Sequence, residues 1–334
     1  MNELRAGIIG LGIGERHIAG FEHDPRCRVT ALCDISERRL AEVSAAYPGR
    51  RLVTDAEDIL DDPDIDVVGI ASYDDIHFAQ VVRAIGNGKH VFVEKPICQH
   101  ADQLEEIRAR LDERPGTRLS SNLILRMCPR FRRVHGMLRE GVFGVPYYLE
   151  ASYNYGRIHK ILDGWRGRLD YYSVTQGGGI HVIDLLTWLA GEAVVEVAAF
   201  GTRLAMADSA TRFDDTVVAV LKFANGAVGR ITSNFACVYP HFHELAVYGT
   251  EATFQNGLEA GSLFTSRDPG ERPVVIDDPY PGVNKGELIR SFVGAILDGT
   301  RPEVDADDVF RAMEVCLAID RAAETGAPVK IAVN

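Results

Sequence analysis

Along the first 125 residues, apolar positions fall into short unbroken runs, separated by stretches where they recur every three or four residues. The runs are Ala6–Ile9, Val29–Cys33, Asp66–Ser72 and His90–Val93. Continuous apolar runs of this length predict strands buried on both faces. Helical spacing occupies the segments near 36–46 and 75–87. Strand and helix in alternation predict a doubly wound parallel sheet. A further run, Arg118–Leu125, closes this half and sets a boundary at residue 122.

Beyond it the pattern changes. Residues 146–155 alternate in part and are rich in tyrosine, which predicts a long strand. Ile180–Leu189 has helical spacing directly after Gly177-Gly178-Gly179. Val194–Leu204, Asp215–Phe223, Ala227–Phe235 and His243–Phe254 read as strands, and Asn225-Gly226 predicts a tight hairpin. Glu287–Leu297 and Ala306–Thr325 are amphipathic helices, read as packing elements.

A chain of 334 residues exceeds the size at which one core stops growing, so two domains are expected, 1–122 and 123–334. The net charge of −12 excludes attraction to nucleic acid or an anionic membrane. No apolar run reaches the ~20 residues of a membrane span, and Met1 to Arg5 carries no leader pattern. The cysteines at 27, 33, 98, 128, 237 and 316 include no Cys-x-x-Cys pair and sit mostly in apolar runs. Reduced thiols in a cytoplasmic protein are the expectation.

The chemistry concentrates at strand ends. After the first strand comes Gly10-Leu11-Gly12-Ile13-Gly14-Glu15. Gly10 and Gly12 permit a tight turn and the close approach of a pyrophosphate, with Ile13 and Gly14 leading into a helix whose N–H groups favour an anion. Glu15 stands where the third glycine of G-x-G-x-x-G falls. Asp34 ends the second strand, 24 residues after Gly10. At that spacing a carboxylate holds an adenosine ribose 2′-hydroxyl and repels a 2′-phosphate, which favours NAD with NADP the weaker alternative; the other reading is a cap on the next helix. Arg38 and Arg39, one turn on, soften the preference. The turn from Ser72 to His77 faces the same cofactor, although His77 can equally pack on the following helix.

The fourth strand runs into Glu94-Lys95-Pro96. Ligands of open α/β sheets collect beyond the carboxyl ends of strands, so Glu94 and Lys95 stand where chemistry is done. A lysine partly withdrawn from water loses its proton more easily and can take one from a substrate hydroxyl. Pro96 fixes the backbone beside it, and its peptide bond can be cis.

In this order, G-x-G, Asp34, the turn at 72–77 and the run Gly88 to Pro96 resemble the family of glucose–fructose oxidoreductase, inositol dehydrogenase and rhizopine-catabolism proteins over nearly the whole chain. The resemblance implies a Rossmann domain for NAD(P). It also implies a C-terminal α+β domain with a large, mostly antiparallel open sheet, used for substrate binding and oligomerisation. Lys95 acts, by that resemblance, on the hydroxyl being oxidised, the substrates being sugars, nucleotide-sugars and cyclitols, and the assembly a homodimer or homotetramer. Arg126-Met127-Cys128-Pro129 is similar to the family's Arg-x-x-Pro, which makes Arg126 a candidate for substrate hydroxyls or phosphate, against a salt bridge. Gly-Gly-Gly before His181-Val182-Ile183-Asp184 looks like the segment whose histidine lies near the reacting carbon. Many members carry an Asp where this chain has Gly177.

Lys95 and His181 therefore remain as the acid–base set. His181 is expected in the first turn of its helix, where the dipole disfavours a proton, with Asp184 three residues on to orient it. Tyr155, Trp165, Gln176 and Asp184 complete the substrate candidates, and Gln176, Tyr172 or Tyr155 can fill the place of the missing Asp. His241-Phe242-His243 lacks a third ligand at recognisable spacing, so no metal is expected. The leading reading is an NAD-dependent dehydrogenase of CH–OH groups. The alternatives are a redox-neutral glycosidase or lyase that retains its cofactor, and a non-catalytic dinucleotide sensor.

Overall fold

The computed structural model describes residues 3–284 and 286–332; Met1 and Asn2, at the start of the segment read for a leader, lie outside them. The chain forms two compact units. One comprises Met1–Ile124 with Asn284–Phe310, the other Leu125–Val283 with Arg311–Asn334.

In the first unit, β1 (Leu4–Ile9), β2 (Cys27–Cys33), β3 (Arg51–Val53), β4 (Val67–Ile70), β5 (His90–Val93) and β6 (Leu119–Ser121) form one sheet. Its order is β3-β2-β1-β4-β5-β6, and every pairing is parallel. Strands 1, 4 and 5 are apolar and covered on both faces because α1 (Glu15–Phe21), α2 (Glu37–Ala46), α3 (Glu57–Leu60), α4 (His77–Gly86) and α5 (Ala101–Asp112) are the crossovers between strands. The expected strand to Leu125 is shorter: it stops at Ser121, and Ile124–Met127 winds into a 3₁₀ turn.

Residues 284–310, grouped by sequence with the C-terminal half, pack in the first unit. Gly20 on α1 explains how. A Cβ there would lie 2.8 Å from the Gly286 Cα, so only glycine admits the returning chain. Phe292, on the helix Glu287–Asp298, then meets Phe92 with ring centroids 5.9 Å apart.

The second unit is built on a nine-stranded sheet, mostly antiparallel. β7 (Pro146–Asn154) lies at its centre, parallel to β10 (Val228–Asn234) and antiparallel to β11 (Phe242–Gly249). On the β10 side follow β9 (Thr216–Phe223), β8 (Val194–Thr202) and β15 (Val329–Lys330). Beyond β11 come β12 (Thr253–Asn256), β13 (Gly261–Phe264) and β14 (Val274–Ile276). The single strand expected over 243–254 is a hairpin of two. Gly249 turns against Phe143, whose carbonyl would be 2.1 Å from any Cβ, and the chain reverses at Thr250–Ala252. Among the described residues no helix is long and apolar enough to cross a membrane. None of the six cysteines, all among the described residues, is in a disulfide.

Candidate active site

The strand order of the first sheet reverses between β1 and β4, where such sheets open a crevice. Gly10 has φ +84°, and a Cβ on it would lie 2.3 Å from the Ala71 carbonyl oxygen. A Cβ on Gly14 would meet the Gly10 oxygen at the same distance. The protein's own backbone therefore demands both. A Cβ on Gly12 would meet nothing within 4 Å, so that glycine leaves a surface open to an incoming ligand.

Asp34 reaches across to this loop. Its Oδ2 accepts the Leu11 N–H at 2.8 Å and its Oδ1 the Ser36 N–H at 2.9 Å. The cap of α2 is Ser36, which accepts from the Arg39 N–H. Half-buried Asp34 keeps lone pairs for a further donor. The anomalous Glu15 pairs with Arg39, whose guanidinium also donates to the Leu11 carbonyl at 2.9 Å. Arg38, expected here together with Arg39, is 86% exposed and pairs with Glu42. Ile13, Ile35, Tyr73 and Ile76 expose apolar surface on the loops after β1, β2 and β4. An open glycine, a carboxylate with capacity to spare and apolar walls fit a dinucleotide.

At the end of β5 the chemistry tightens. Glu94 Oε1 is held by Asn122 Nδ2 at 2.8 Å and lies 3.1 Å from Nε2 of His17, which is fully buried on α1. Sequence reasoning singled out neither partner, although His17 stands beside the glycine loop. Lys95 follows, half-buried, through a cis bond to Pro96. The Pro96 carbonyl lies 2.7 Å from Nδ1 of His77, and the Ser72 carbonyl 3.2 Å from Nε2 of the same ring. His77 is fully buried, so it ties the β4 turn to the Lys95 segment. The Ser72 hydroxyl donates to Gln80 at 2.7 Å.

In the second unit the glycine run is a π-helical turn, Thr175–Gly179, continuous with α8 (Ile180–Ala190); the helices before and after β7 are α6 (Pro129–Arg139) and the short α7 (His159–Leu162). His181 is thus not at a free helix start, because the helical backbone begins before it. Each glycine answers a close approach. A Cβ on Gly177 would lie 2.1 Å from the Tyr172 hydroxyl, on Gly178 2.4 Å from Tyr153, and on Gly179 2.0 Å from the Ser233 hydroxyl. The turn lies flat on the sheet, and the Tyr172 hydroxyl stands beside the position where the resemblance led to an Asp.

His181 then faces Tyr153, ring centroids 6.0 Å apart, in a row that includes Tyr155, Phe235, His241 and His243. Burial and the neighbouring His241 push the affinity of His243 for a proton down to a pKa of about 3, so it is neutral. Its Nδ1 lies 2.7 Å from the Tyr280 hydroxyl. Among the described residues no group of three or more His, Cys, Asp or Glu is arranged to hold a metal ion.

Arg126 and Asp184 join each other. The guanidinium donates through Nη2 at 2.7 Å and through Nε at 3.0 and 3.1 Å, with side chains 6% and 1% exposed. Gln176 is buried and donates to Asp320 at 2.8 Å and to the Tyr171 hydroxyl at 3.1 Å. Asp320, on α10 (Ala306–Thr325; α9 being Glu287–Asp298), also accepts from Ser173 at 2.8 Å. Its surroundings withdraw the carboxyl from water and push its pKa up to about 6, against the opposing pull of these hydrogen bonds. Trp165 is half-buried, with the Arg166 guanidinium 4.4 Å from its ring centroid.

Residues 4–122 match the model of the GFO/IDH/MocA oxidoreductase family with an NAD-binding Rossmann fold, and residues 131–255 match the C-terminal domain of the same family. The oxidoreductase YrbE of Bacillus subtilis is 27% identical, over 98% of this chain and 97% of its own. The myo-inositol 2-dehydrogenase of Thermotoga maritima is 26% identical, over 98% of each. The WlbA dehydrogenase of Bordetella pertussis, crystallised with NADH and UDP-GlcNAcA, shares the fold with a TM-score of 0.86 at 22% identity, over 100% of this chain and 99% of that one.

Proposed function

Because the chain belongs to the GFO/IDH/MocA family of NAD-binding oxidoreductases, we propose that it oxidises a hydroxyl-bearing carbon of a sugar, nucleotide-sugar or cyclitol. The relatives include an inositol dehydrogenase, and the WlbA complex holds a nucleotide-sugar. The observation that carries the reading is Lys95, half-buried at the carboxyl end of β5, next to a glutamate held by His17 and Asn122. Gly10, Gly12, Ile13 and Gly14 would hold the pyrophosphate of NAD, and Asp34 would take the ribose hydroxyls. NAD held there would supply the acceptor for the hydride that leaves the substrate carbon.

Lys95, in its neutral form, takes the hydroxyl proton as that carbon is oxidised. His181 is the second acid–base residue, kept in place by the π-turn beneath it. Glu94, held by His17 and Asn122, belongs to the cofactor site rather than reacting. The open face of the second sheet, where Phe200, Val218 and Val220 are exposed, is the face through which we propose two copies join.

The test is the pH dependence of kcat/KM for wild type, Lys95→Met and His181→Gln. Wild type should rise with pH as Lys95 loses its proton. Lys95→Met should lose that limb and about 10²–10⁴-fold in kcat, while His181→Gln lowers kcat and keeps the limb. A Lys95→Met enzyme with the wild-type limb would refute the assignment.

A further inference from the structure

The segment 155–172 departs from the rest of the chain in charge. It carries Arg157, Lys160, Arg166 and Arg168 against Asp163 and Asp170, in a protein whose net charge is −12. Two of these arginines gather at the aromatic row that includes His181. The Arg157 guanidinium lies 5.1 Å from the ring centroid of Tyr155, and that of Arg166 lies 4.4 Å from Trp165 and 5.9 Å from Tyr172. Tyr155 and Tyr172 both touch Phe235, at 4.9 and 6.3 Å between centroids. Both guanidiniums also act electrostatically on Tyr153, the ring that His181 faces. Arg157, in a loop, and Arg166, in the 3₁₀ turn Trp165–Arg168, thus bring positive charge to one place.

Neither arginine is committed elsewhere. No carboxylate of the described residues lies within ion-pair distance of Arg157 or Arg166, whereas Arg126, Arg130 and Arg230 of the same unit are taken up by Asp184, Asn256 and Glu150. A guanidinium stacked on an aromatic ring keeps its N–H edge free, and that edge matches a carboxylate or phosphate through two parallel hydrogen bonds. The rings supply an apolar platform for the carbon face of a sugar or cyclitol. A neutral polyol has no use for two uncompensated cations. An acidic one does.

Resting on the dehydrogenase reading above, we propose that the substrate is an anionic sugar or cyclitol, its carboxylate or phosphate held by Arg157 and Arg166 beside the Tyr153–Tyr155 row. Its chemistry is that of a sugar acid or a sugar phosphate, and the two arginines decide acidic against neutral substrates.

The test uses matched pairs with the full-length protein and NAD: glucose against glucuronate and glucose 6-phosphate, and myo-inositol against its monophosphate. NADH formation is followed for wild type, Arg157→Gln, Arg166→Gln, the double variant and Arg157→Lys. Wild type should prefer an anionic member by tenfold or more in kcat/KM, and the preference should shrink with added salt. Each glutamine variant should cut the anionic-to-neutral ratio several-fold, the double variant should bring it close to one, and Arg157→Lys should recover part. Preference for glucuronate alone identifies a carboxylate, and preference for the phosphates alone a phosphate. A neutral member turned over as well as its anionic partner, or variants that lower both alike, would overturn the proposal. If no pair yields NADH, calorimetry of glucuronate and glucose 6-phosphate binding to the NAD-loaded protein separates the two readings. Anion binding abolished in the double variant would uphold the anion site and sink the dehydrogenase, and no anion binding would sink the site.

Discussion

Replacing Arg126 by Met separates a structural ion pair from a substrate clamp. Arg126 and Asp184 are almost wholly buried, joined at 2.7 to 3.1 Å. Removing one partner of such a pair leaves the other charge stranded away from water, at a cost of about 3–5 kcal/mol. For a unit of this size each kcal/mol lowers the melting temperature by about 2–4 °C, so Arg126→Met should melt roughly 6–20 °C below wild type. Asp184→Asn should cost less, since a neutral amide still hydrogen-bonds. The double variant Arg126→Met/Asp184→Leu should recover most of the loss, because apolar groups of similar volume replace buried pairs with little penalty. Urea unfolding of the four proteins, followed by circular dichroism, gives the coupling directly. If Arg126→Met loses less than about 1 kcal/mol while KM for the substrate rises tenfold, the pair is incidental and Arg126 faces substrate after all.

Three other perturbations follow from local geometry. Asp320 has its pKa raised to about 6 from an ordinary 3.8, so the fold favours the protonated form. The stability of wild type relative to Asp320→Asn should be greatest below about pH 4 and fall by about 1–3 kcal/mol as pH rises through 6 to 7; denaturant titrations giving a flat difference would contradict this. Gly178→Ala drives a Cβ to 2.4 Å from Tyr153 and 2.8 Å from Phe235, so it should cost about 1–3 kcal/mol and lower kcat through the displaced His181. Gly12→Ala meets nothing within 4 Å, so calorimetry should show weakened NAD binding at an unchanged melting temperature; a lowered melting temperature would show that the space is not open.

The first sheet was legible because parallel strands buried on both faces leave unbroken apolar runs, as in Ile8–Ile9, Val67–Ile70 and Val91–Val93. Asn225-Gly226 likewise marks its hairpin through Gly226, at φ +90°. What escaped reading depends on contacts distant in sequence. The break of 243–254 at Gly249 exists because Phe143 presses on it, and the return of 284–310 exists because Gly20 and Gly286 nearly touch. Which arginine serves the glycine loop is a matter of helix phase: with Ser36 as cap, Arg39 points back to Leu11 and Glu15 while Arg38 points to water. Ser36, a favoured N-cap residue directly before Glu37, carried that information. The triple glycine was visible, but the π-turn was not, since Gly178 and Gly179 answer Tyr153 and Ser233 of the sheet, both distant in sequence. His181 does fall in the first turn of α8, but the π-turn runs into that turn without a break.

Lys95 as the base of an NAD-linked oxidation is tested most directly by NADH formation at 340 nm over sugars, sugar acids, nucleotide-sugars and inositols, with wild type beside Lys95→Ala. Turnover of at least one substrate by wild type, reduced by about 10²-fold or more in Lys95→Ala with NAD binding intact, is the expected result. No reduction of NAD by any of them, with NAD demonstrably bound, or an unimpaired Lys95→Ala enzyme, would contradict it.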